Sequence, residues 1–286
     1  MVIISPTASE YKHERFDTVN LEAALFALHT DGAVIISNVV NKEHLDVLKE
    51  RMEFDLKKIM DSPNIPHNFV YGNLQQHPPP YAEYVFRDIV ANSFACQVTH
   101  EILGNNAYMN EISCNSCLPE SHRQPVHVDE GHLWRSVSTL LPPARLAVNI
   151  GLSDVNEENG AVELWLGSHH FQHNVINGDI KVNDSVLNKR RENTPPVRGA
   201  THKGDILIRD MRLWHCGTPN YTGNTRFMLA MVHNISWIKR DNSGYYLETK
   251  GQQVFQNCPI KCLIPFVDEA KRDYLNLNRP YEYNQN

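Results

Sequence analysis

The sequence predicts an α+β fold in which N-terminal helices buttress an antiparallel β core. The first hundred residues show helical periodicity around a single strand, and from about residue 106 the pattern changes to short strand-like segments separated by turn residues. The 286 residues are 41% hydrophobic and 21% charged, which is typical of a globular protein that buries a large core.

Apolar residues at helical spacing mark the predicted helices. Asn41 caps the longest of them, and Gly104 ends the last. A β-branched run at residues 33–40 predicts the strand between the first and second helices. The predicted helices cover residues 21–29, 42–61 and 89–103.

Short strand-like segments follow, as expected for an antiparallel sandwich or barrel. We expect one domain over residues 1–286, with a long, polar, lid-like insertion at about 168–203. The C-terminal extension, about 239–286, has apolar patches that would pack on the core or build a homodimer contact. The predicted strands cover residues 108–118, 126–134, 146–152, 161–166, 205–209 and 226–235.

Composition limits the partners that the protein can have. The net charge of −6 argues against a general nucleic-acid surface, which needs a basic excess. The N-terminus lacks the features of a signal peptide, and no apolar run is long enough to cross a bilayer. We therefore expect a cytoplasmic protein that binds neither nucleic acid nor membranes.

The cysteine pattern leaves two interpretations. Six cysteines in a chain of this length do not form a disulfide framework, and the cytoplasm would keep them reduced. Cys114 and Cys117 have C-x-x-C spacing, and Cys258 and Cys262 lie close together, so that a four-cysteine zinc site is one interpretation. Buried thiols that bind no metal are the simpler one.

Residues 124–129, with the sequence Q-P-V-H-V-D, carry the first candidate metal ligands. Side chains two apart on a strand point to the same face, so His127 and Asp129 offer one imidazole and one carboxylate to a metal. His215, within L-W-H-C-G, would supply a second imidazole from another strand. Two histidines and one carboxylate occupy one face of an octahedral iron(II) and leave three positions open, whereas zinc more often takes a closed set.

Arg226 makes this metal site more specific. An H-x-D pattern alone is weak, because a chain with 15 histidines often contains one by chance. Arg226 lies eleven residues after His215, across a turn and at the start of the next predicted strand, so the hairpin returns it beside the metal. A guanidinium there is suited to gripping the far carboxylate of a 2-oxo acid that chelates the iron. A non-catalytic metal-binding jelly roll, the alternative from another class, would leave Arg226 without a role.

These residues resemble the phytanoyl-CoA dioxygenase superfamily of iron(II)/2-oxoglutarate oxygenases. The likeness covers about residues 65–238. N-F-V-Y-G-N-L-Q-Q at 68–76 and D-E-G-H-L-W at 129–134 are similar to a branch of natural-product enzymes that includes kanamycin B dioxygenase. The superfamily motifs are Q-P-V-H-V-D at 124–129, E-N-G-A-V-E-L-W-L-G-S-H at 158–169, G-D-I-L-I-R-D at 204–210 and W-H-x-G-x-P-N with Arg226.

The resemblance implies a double-stranded β-helix (jelly-roll) core, iron(II), 2-oxoglutarate as cosubstrate, and O2. It also implies that Gln124 hydrogen-bonds the oxo acid. Some members place a serine two residues after the second histidine ligand. Gly217 stands at that position, so Thr218 would have to make the contact. Halogenating relatives replace the carboxylate ligand with a small residue, so Asp129 favours oxygen transfer.

Aromatic and amide residues near these motifs are the candidate substrate pocket, although core aromatics and turn residues are the simpler interpretation of several. Their mixture suits a polar small molecule better than a long acyl chain. The likeness to an amino-sugar oxygenase suggests hydroxylation at a carbon that bears nitrogen, followed by C–N cleavage. A phytanoyl-type acyl-CoA or lipid hydroxylase is the alternative. The candidates are Tyr71, Asn73, Gln75, His132, Trp134, Asn149, Trp165 and His169.

Overall fold

The structure is a computed structural model that describes residues 1–134, 139, 141–171, 180–239, 243–278 and 280. Within these residues the chain forms helices α1 Ala8–His13, α2 Thr18–Thr30, α3 Lys42–Met60, α4 Arg87–Val90, α5 Ser93–Leu103 and α6 Asp184–Asn193. Short 3-10 helices lie at Ala82–Tyr84, Ser168–His170, Thr249–Phe255 and Arg272–Asn276.

The strands of the described residues fall into a large sheet and two small ones. They are β1 Val2–Ile4, β2 Ala33–Ile36, β3 Asn73–Gln76, β4 Tyr108–Cys117, β5 Arg145–Gly151, β6 Glu163–Leu164, β7 Val197–Arg198, β8 Ile206–Asp210, β9 His215–Cys216, β10 Arg226–Asn234, β11 Leu247–Glu248, β12 Lys261–Cys262 and β13 Phe266–Val267.

The large sheet is the frame of the molecule. Its order is β1-β2-β8-β5-β10-β4-β12, and β3 also pairs with β4. The pairs β1–β2 and β4–β12 at the two edges are parallel, and the central pairs are antiparallel. The second sheet, β7-β6-β9, packs over one face of the large sheet, where Leu164 joins Ile35 and Leu207 in one apolar cluster. This layered arrangement confirms the predicted α+β fold with a jelly-roll core.

The two faces of the large sheet have different partners because strand side chains alternate. On the outer face, Val148 of β5, Ile208 of β8 and Leu229 of β10 belong to the main hydrophobic core. The same core contains Leu45 of α3 and Val98 of α5. The N-terminal helices therefore buttress this face, as predicted, and the inner face is left for other uses.

The predicted helix α3 is confirmed, whereas the predicted helix at 89–103 is divided. In α3 the side chain of Asn41 accepts the N–H of Glu43 at 2.9 Å, and buried residues recur at helical spacing. The second prediction becomes α4 and α5, because the Asn92 side chain accepts the backbone N–H groups of Phe94 and Ala95 and starts a new helix there.

The prediction of a strand over residues 126–134 is wrong. His127 alone forms bridges, to Lys181 and to His215. The backbone N–H groups of Asp129 and Glu130 both donate to the carbonyl oxygen of Met211, at 3.0 and 3.1 Å. Because two successive N–H groups share one acceptor, the chain turns here and the β-pairing ends. The orientation of the Asp129 side chain therefore does not follow from the alternation of side chains along a strand.

The structure also shows where the C-terminal extension and the described part of the predicted lid-like insertion pack. The C-terminal extension packs on the core through Tyr245, Leu247, Ile260 and Ile264. The predicted lid-like insertion contains α6 and β7, and Leu187 of α6 packs against the segment that carries the first two candidate ligands. In the part of the chain that the structure describes, no helix has the length and apolar character needed to span a membrane.

The cysteines do not assemble a zinc site. All six are free thiols. The Sγ atom of Cys258 lies 3.4 Å from Cys96, and Cys117 lies 3.0 Å from the Ser121 hydroxyl. Among the described residues, the only metal-binding group of three or more His, Cys, Asp or Glu side chains is made by other residues.

A buried polar contact joins the C-terminal extension to α3. The carboxylate of Asp55 is fully buried, and its Oδ2 accepts hydrogen bonds from the Tyr274 hydroxyl at 2.5 Å and from Arg51 Nε at 3.0 Å. Burial, and then the neighbouring Asp55, raise the pKa of Tyr274, so the phenol keeps its proton and donates it. A buried carboxylate depends on such donors.

Replacing Tyr274 with Phe removes one of these donors and should lower the free energy of unfolding by about 1.5–3 kcal/mol. Chemical denaturation measures the change. The exposed Tyr221, replaced in the same way, is the control and should change stability by less than about 0.5 kcal/mol. Equal stability of the two variants would contradict the role given to Tyr274.

Candidate metal centre

Three side chains meet at one point between the sheets. The Nε2 atoms of His127 and His215 lie 3.9 and 3.5 Å from Oδ1 of Asp129. One ligand atom from each of the three residues fits within 4.8 Å of the others. Both histidines are buried. The structure therefore brings together the two imidazoles and the carboxylate that the sequence predicted.

Backbone pairing places the two histidines. Each donates its N–H to the carbonyl oxygen of the other at 2.9 Å, so that residue 127 pairs directly with the first residue of β9. Directly opposed residues of an antiparallel pair point to the same face. Asp129 is placed differently, by the hydrogen bond from its N–H to Met211.

The histidine rings are held in the form that binds a metal. Nδ1 of His127 lies 2.9 Å from the carbonyl oxygen of Pro125, and Nδ1 of His215 lies 2.9 Å from that of Leu213. A carbonyl oxygen only accepts, so each neutral ring carries its proton on Nδ1 and keeps the lone pair of Nε2 free. Metal-bound histidines use this arrangement.

The electrostatics agree with this form. Burial, and then the neighbouring His215, lower the pKa of His127 to about 3, so the ring is neutral at ordinary pH. Burial alone would raise the pKa of Asp129, but the Arg209 guanidinium, with the two histidines, holds it well below its usual value. A neutral imidazole and an ionised carboxylate are the species that bind a metal ion.

Arg209 is a site residue that the sequence reasoning missed. Its Nη2 lies 2.6 Å from Oδ2 of Asp129, so the two oxygens of that carboxylate are divided between Arg209 and the histidines. Its Nε donates to Oδ1 of Asn149 at 3.2 Å. Arg209 stands in the G-D-I-L-I-R-D motif, where a charged residue directly after three apolar ones was the available signal.

A cavity of about 500 Å³ opens in front of the three side chains. Its floor is the inner face of the large sheet, where alternate residues of each strand line it. The cavity is deep here because alanine side chains are short: Ala230 lies opposite Ser113, and Ala147 lies opposite Val232. The strand residues that line the cavity are Asn73, Gln75, Glu111, Ser113, Asn115, Arg145, Ala147, Asn149, Leu207, Arg209, His215, Arg226, Met228, Ala230 and Val232.

Arg226 lies in this cavity with an unused donor. Its Nη1 donates to the carbonyl oxygen of Asn115 at 3.2 Å and its Nη2 to that of Gly160 at 2.9 Å. Its Nε is buried and has no partner among the described residues. A fixed guanidinium with a donor left over fits a carboxylate ligand.

Gln124 also lines the cavity, and its position explains an unexpected glycine. Its Oε1 accepts the N–H of Gly217 at 2.8 Å, and its Nε2 donates to the carbonyl oxygen of Asn68 at 3.1 Å. A Cβ atom at position 217 would lie 2.7 Å from Gln124 Oε1 and 2.9 Å from Asn73 Oδ1. A serine there would push both amides aside.

Thr218 does not line the cavity. It is buried, and its hydroxyl donates to the carbonyl oxygen of Ala161 at 2.8 Å. Because the hydroxyl proton of Thr218 is used in that bond, it is not available for a hydrogen bond to the cosubstrate.

Of the predicted pocket residues, Asn73, Gln75 and Asn149 line the cavity and the other five do not. Trp165 is fully buried and donates to Glu163, and His169 is bonded to the carbonyl oxygen of His29. The ring of Tyr71 is exposed and packs on His67 and His122, and His132 and Trp134 line a separate, smaller cavity. These five were predicted from their residue type, whereas the direction in which the fold points each side chain decides whether it reaches the site.

The missed cavity residues had a signal in the sequence. Glu111, Ser113 and Asn115 alternate with Ile112 and Cys114 along β4. Polar side chains at every second position of a strand predict one polar face. That face is the cavity floor.

Comparison with known proteins decides the family. The sequence profile described as Phytanoyl-CoA dioxygenase (PhyH) matches residues 28–228. The chain belongs to this family. It is therefore a 2-oxoglutarate-dependent non-haem iron dioxygenase, with iron, 2-oxoglutarate and O2 as cofactors and cosubstrates.

Curated relatives of the family have similar sequences. Dioxygenase olcK of Penicillium canescens is 26% identical over 244 residues, which are 81% of this chain and 76% of the relative. Iron/alpha-ketoglutarate-dependent dioxygenase penM of Penicillium thymicola is 25% identical over 228 residues, which are 72% of this chain and 66% of the relative.

Solved structures share the fold. AviO1 from Streptomyces viridochromogenes Tue57 aligns with a TM-score of 0.57 and 19% identity over 79% of this chain and 99% of that one. The non-heme alpha ketoglutarate dependent carbocyclase SnoK from nogalamycin biosynthesis aligns with a TM-score of 0.56 and 18% identity over 74% of this chain and 83% of that one.

Replacing His215 with Ala should weaken the binding of Co(II), a stable substitute for iron(II), by more than the roughly 10–100-fold that loss of an outer-shell partner costs. Calorimetric titration of the metal-free protein measures this. The control is His202→Ala, an exposed histidine outside the cavity, which should bind Co(II) as the unaltered protein does. Equal affinities in the two variants would show that the metal binds elsewhere.

Proposed function

We propose that this enzyme hydroxylates a polar, nitrogen-containing small molecule of specialised metabolism, at a carbon next to nitrogen, so that the C–N bond then breaks. The observation that carries the substrate class is the polar inner face of the large sheet, which forms the floor of the cavity. Natural-product biosynthesis is supported by the structural neighbour SnoK, whose description places it in nogalamycin biosynthesis.

His127, Asp129 and His215 are the proposed iron ligands. They supply a donor set of two imidazoles and one carboxylate, and they are the only such cluster among the residues described. This set leaves positions open on iron(II) for a bidentate oxo acid and for O2. Together with O2, the bound metal and cosubstrate would supply the oxidant that attacks a substrate C–H bond.

Arg226 and Gln124 are the proposed cosubstrate contacts. The free Nε of Arg226 would donate to the far carboxylate of 2-oxoglutarate. Gln124 is held in the cavity by Gly217 and Asn68, so its amide is already oriented. Thr218, which the sequence offered for a further contact, lies outside the cavity lining and is not part of this proposal.

Glu111 is suited to a nitrogen-bearing substrate. Burial raises the pKa of its carboxyl group above the ordinary value; the nearby Arg145 opposes this increase and Asp129 adds to it. A carboxyl group on the cavity floor accepts a hydrogen bond from an N–H group in either protonation state. Hydroxylation of the carbon beside that nitrogen gives a carbinolamine. It breaks down to a carbonyl compound and a free amine when the hydroxyl proton passes to nitrogen.

An acyl-CoA or lipid substrate fits this cavity less well. A long acyl chain needs an apolar channel, whereas Asn73, Gln75, Ser113, Asn115 and Asn149 all face the cavity.

The remaining expectations stay predictions. They are a single domain over residues 1–286, a lid at about 168–203, a cytoplasmic location, a homodimer, and the absence of nucleic-acid and membrane partners.

Replacing Arg226 with Met should weaken 2-oxoglutarate binding by roughly thirtyfold or more, because truncating one partner of a buried charge pair costs about 2–5 kcal/mol. Calorimetry with the Co(II)-loaded protein measures the affinity. The control is Arg226→Lys, which keeps the positive charge without the planar donor pair. Its affinity for 2-oxoglutarate should lie between those of the unaltered protein and of Arg226→Met. Unchanged binding in Arg226→Met would contradict the proposed cosubstrate contact.

Polar amines and amides should stimulate succinate release more than lipid acyl-CoA esters do. With an active amine, mass spectrometry should find a carbonyl product and one equivalent of freed amine. The His127→Ala protein is the blank and should release no succinate. Succinate release driven only by lipid acyl-CoA would overturn the proposed substrate class.

A further inference from the structure

One guanidinium on the cavity floor keeps a donor that lacks an acceptor. Arg209 is only 7% exposed, and two of its three nitrogens are bonded, Nη2 to Asp129 and Nε to Asn149. Its Nη1 is buried without a hydrogen-bond partner in the described part of the chain. A buried donor on a charged group is costly when it is left unpaired, so this position favours a ligand oxygen.

The charges of the proposed cofactor site already balance without Arg209. The doubly positive iron, the Asp129 carboxylate, the two carboxylates of 2-oxoglutarate and the Arg226 guanidinium sum to zero. Arg145 has its own partner, Glu130, at 3.9 Å. Arg209 also holds Asp129, but its Nη1 is a guanidinium donor on the described cavity floor that the proposed cofactor site leaves over for a substrate.

The floor beside Arg209 leaves room for such a ligand. In the sheet register Arg209 of β8 stands opposite Ala147 of β5. Ala230 of β10, opposite Asn149, is also small. Short side chains next to Arg209, which itself lines the cavity, leave space on the floor beside the guanidinium.

We propose that Arg209 is a specificity-determining residue that binds a carbonyl or carboxylate oxygen of the substrate through Nη1. The inference rests on the proposed function and narrows it to molecules that carry such an oxygen near their nitrogen, as amides, lactams and amino acids do. Because the same guanidinium holds Oδ2 of Asp129, the bound oxygen lies beside the metal ligands. The carbon atoms next to that oxygen are then presented to the metal.

The near carboxylate of 2-oxoglutarate is the competing acceptor, and cosubstrate binding distinguishes the two. In the Co(II)-loaded protein, Arg209→Lys should bind 2-oxoglutarate within about threefold of the unaltered protein, because it keeps the positive charge beside Asp129 and loses only a contact with the substrate. Weakening by about tenfold or more, the effect expected for loss of a charge-assisted hydrogen bond, would overturn the proposal and assign Arg209 to the cosubstrate. Arg209→Met, measured in parallel, also removes the charge beside Asp129, so a loss confined to the Met variant reports on the support of that metal ligand and not on a cosubstrate contact.

Substrate selection gives the second measurement. Pairs of compounds with one skeleton, a lactam and its cyclic amine or an amino acid and its decarboxylated amine, are compared by initial rates of succinate release. The unaltered enzyme should prefer the oxygen-bearing member by about tenfold or more in kcat/KM. Arg209→Met should reduce this preference to within about twofold, mainly through KM, and Arg209→Lys should lose part of it. The exposed Arg15, replaced with Met, is the matched control and should keep it.

The outcomes separate this proposal from the one on which it rests. Turnover without a preference, or a preference that survives in Arg209→Met, refutes the role of Arg209 and leaves the proposed function in place. No succinate release with any polar nitrogen compound refutes the proposed function itself. In that case the 2-oxoglutarate affinities still decide whether Arg209 contacts the cosubstrate.

Discussion

The mutual backbone hydrogen bonds between His127 and His215 are the interaction on which the site depends. They join two segments that are far apart in the sequence, and they hold the two imidazole ring centres 4.4 Å apart. Carbonyl oxygens then fix both rings so that their Nε2 atoms face the same point. Asp129 reaches that point because the chain turns on the carbonyl oxygen of Met211, and Arg209 holds the outer oxygen of its carboxylate. Disturbing the pairing would therefore disturb the whole donor set.

The large sheet separates stability from function by its two faces. Its outer face belongs to the hydrophobic core with α3 and α5, and its inner face carries the cavity. Because side chains alternate between the two faces of a strand, one strand contributes to both: β4 places Ile112 in the core and Ser113 in the cavity. Polar residues on the inner face can therefore vary with the substrate at little cost to the core, which is how one fold serves many reactions.

Local signals explain what the sequence predicted well. The cap at Asn41 determines where α3 begins. The short connection from His215 to Arg226 brings both to the cavity, although it crosses from the small sheet to the large one and is not the hairpin that the sequence predicted. Tertiary contacts explain the errors. The strand predicted at 126–134 fails because Asp129 and Glu130 share a distant acceptor, and Trp165 and His169 were chosen for their residue type although their rings point into packed surroundings. Arg209 was overlooked because only the fold places it against Asp129.

The central claim is that His127, Asp129 and His215 form one iron site that also receives 2-oxoglutarate. Anaerobic titration of the protein with iron(II) and 2-oxoglutarate tests it most directly, because a chelated oxo acid gives iron(II) a weak visible charge-transfer band. The account predicts a band that saturates at one iron and one 2-oxoglutarate for each chain and that is absent in His127→Ala. A missing band in the unaltered protein, or an unchanged band in the variant, would contradict it.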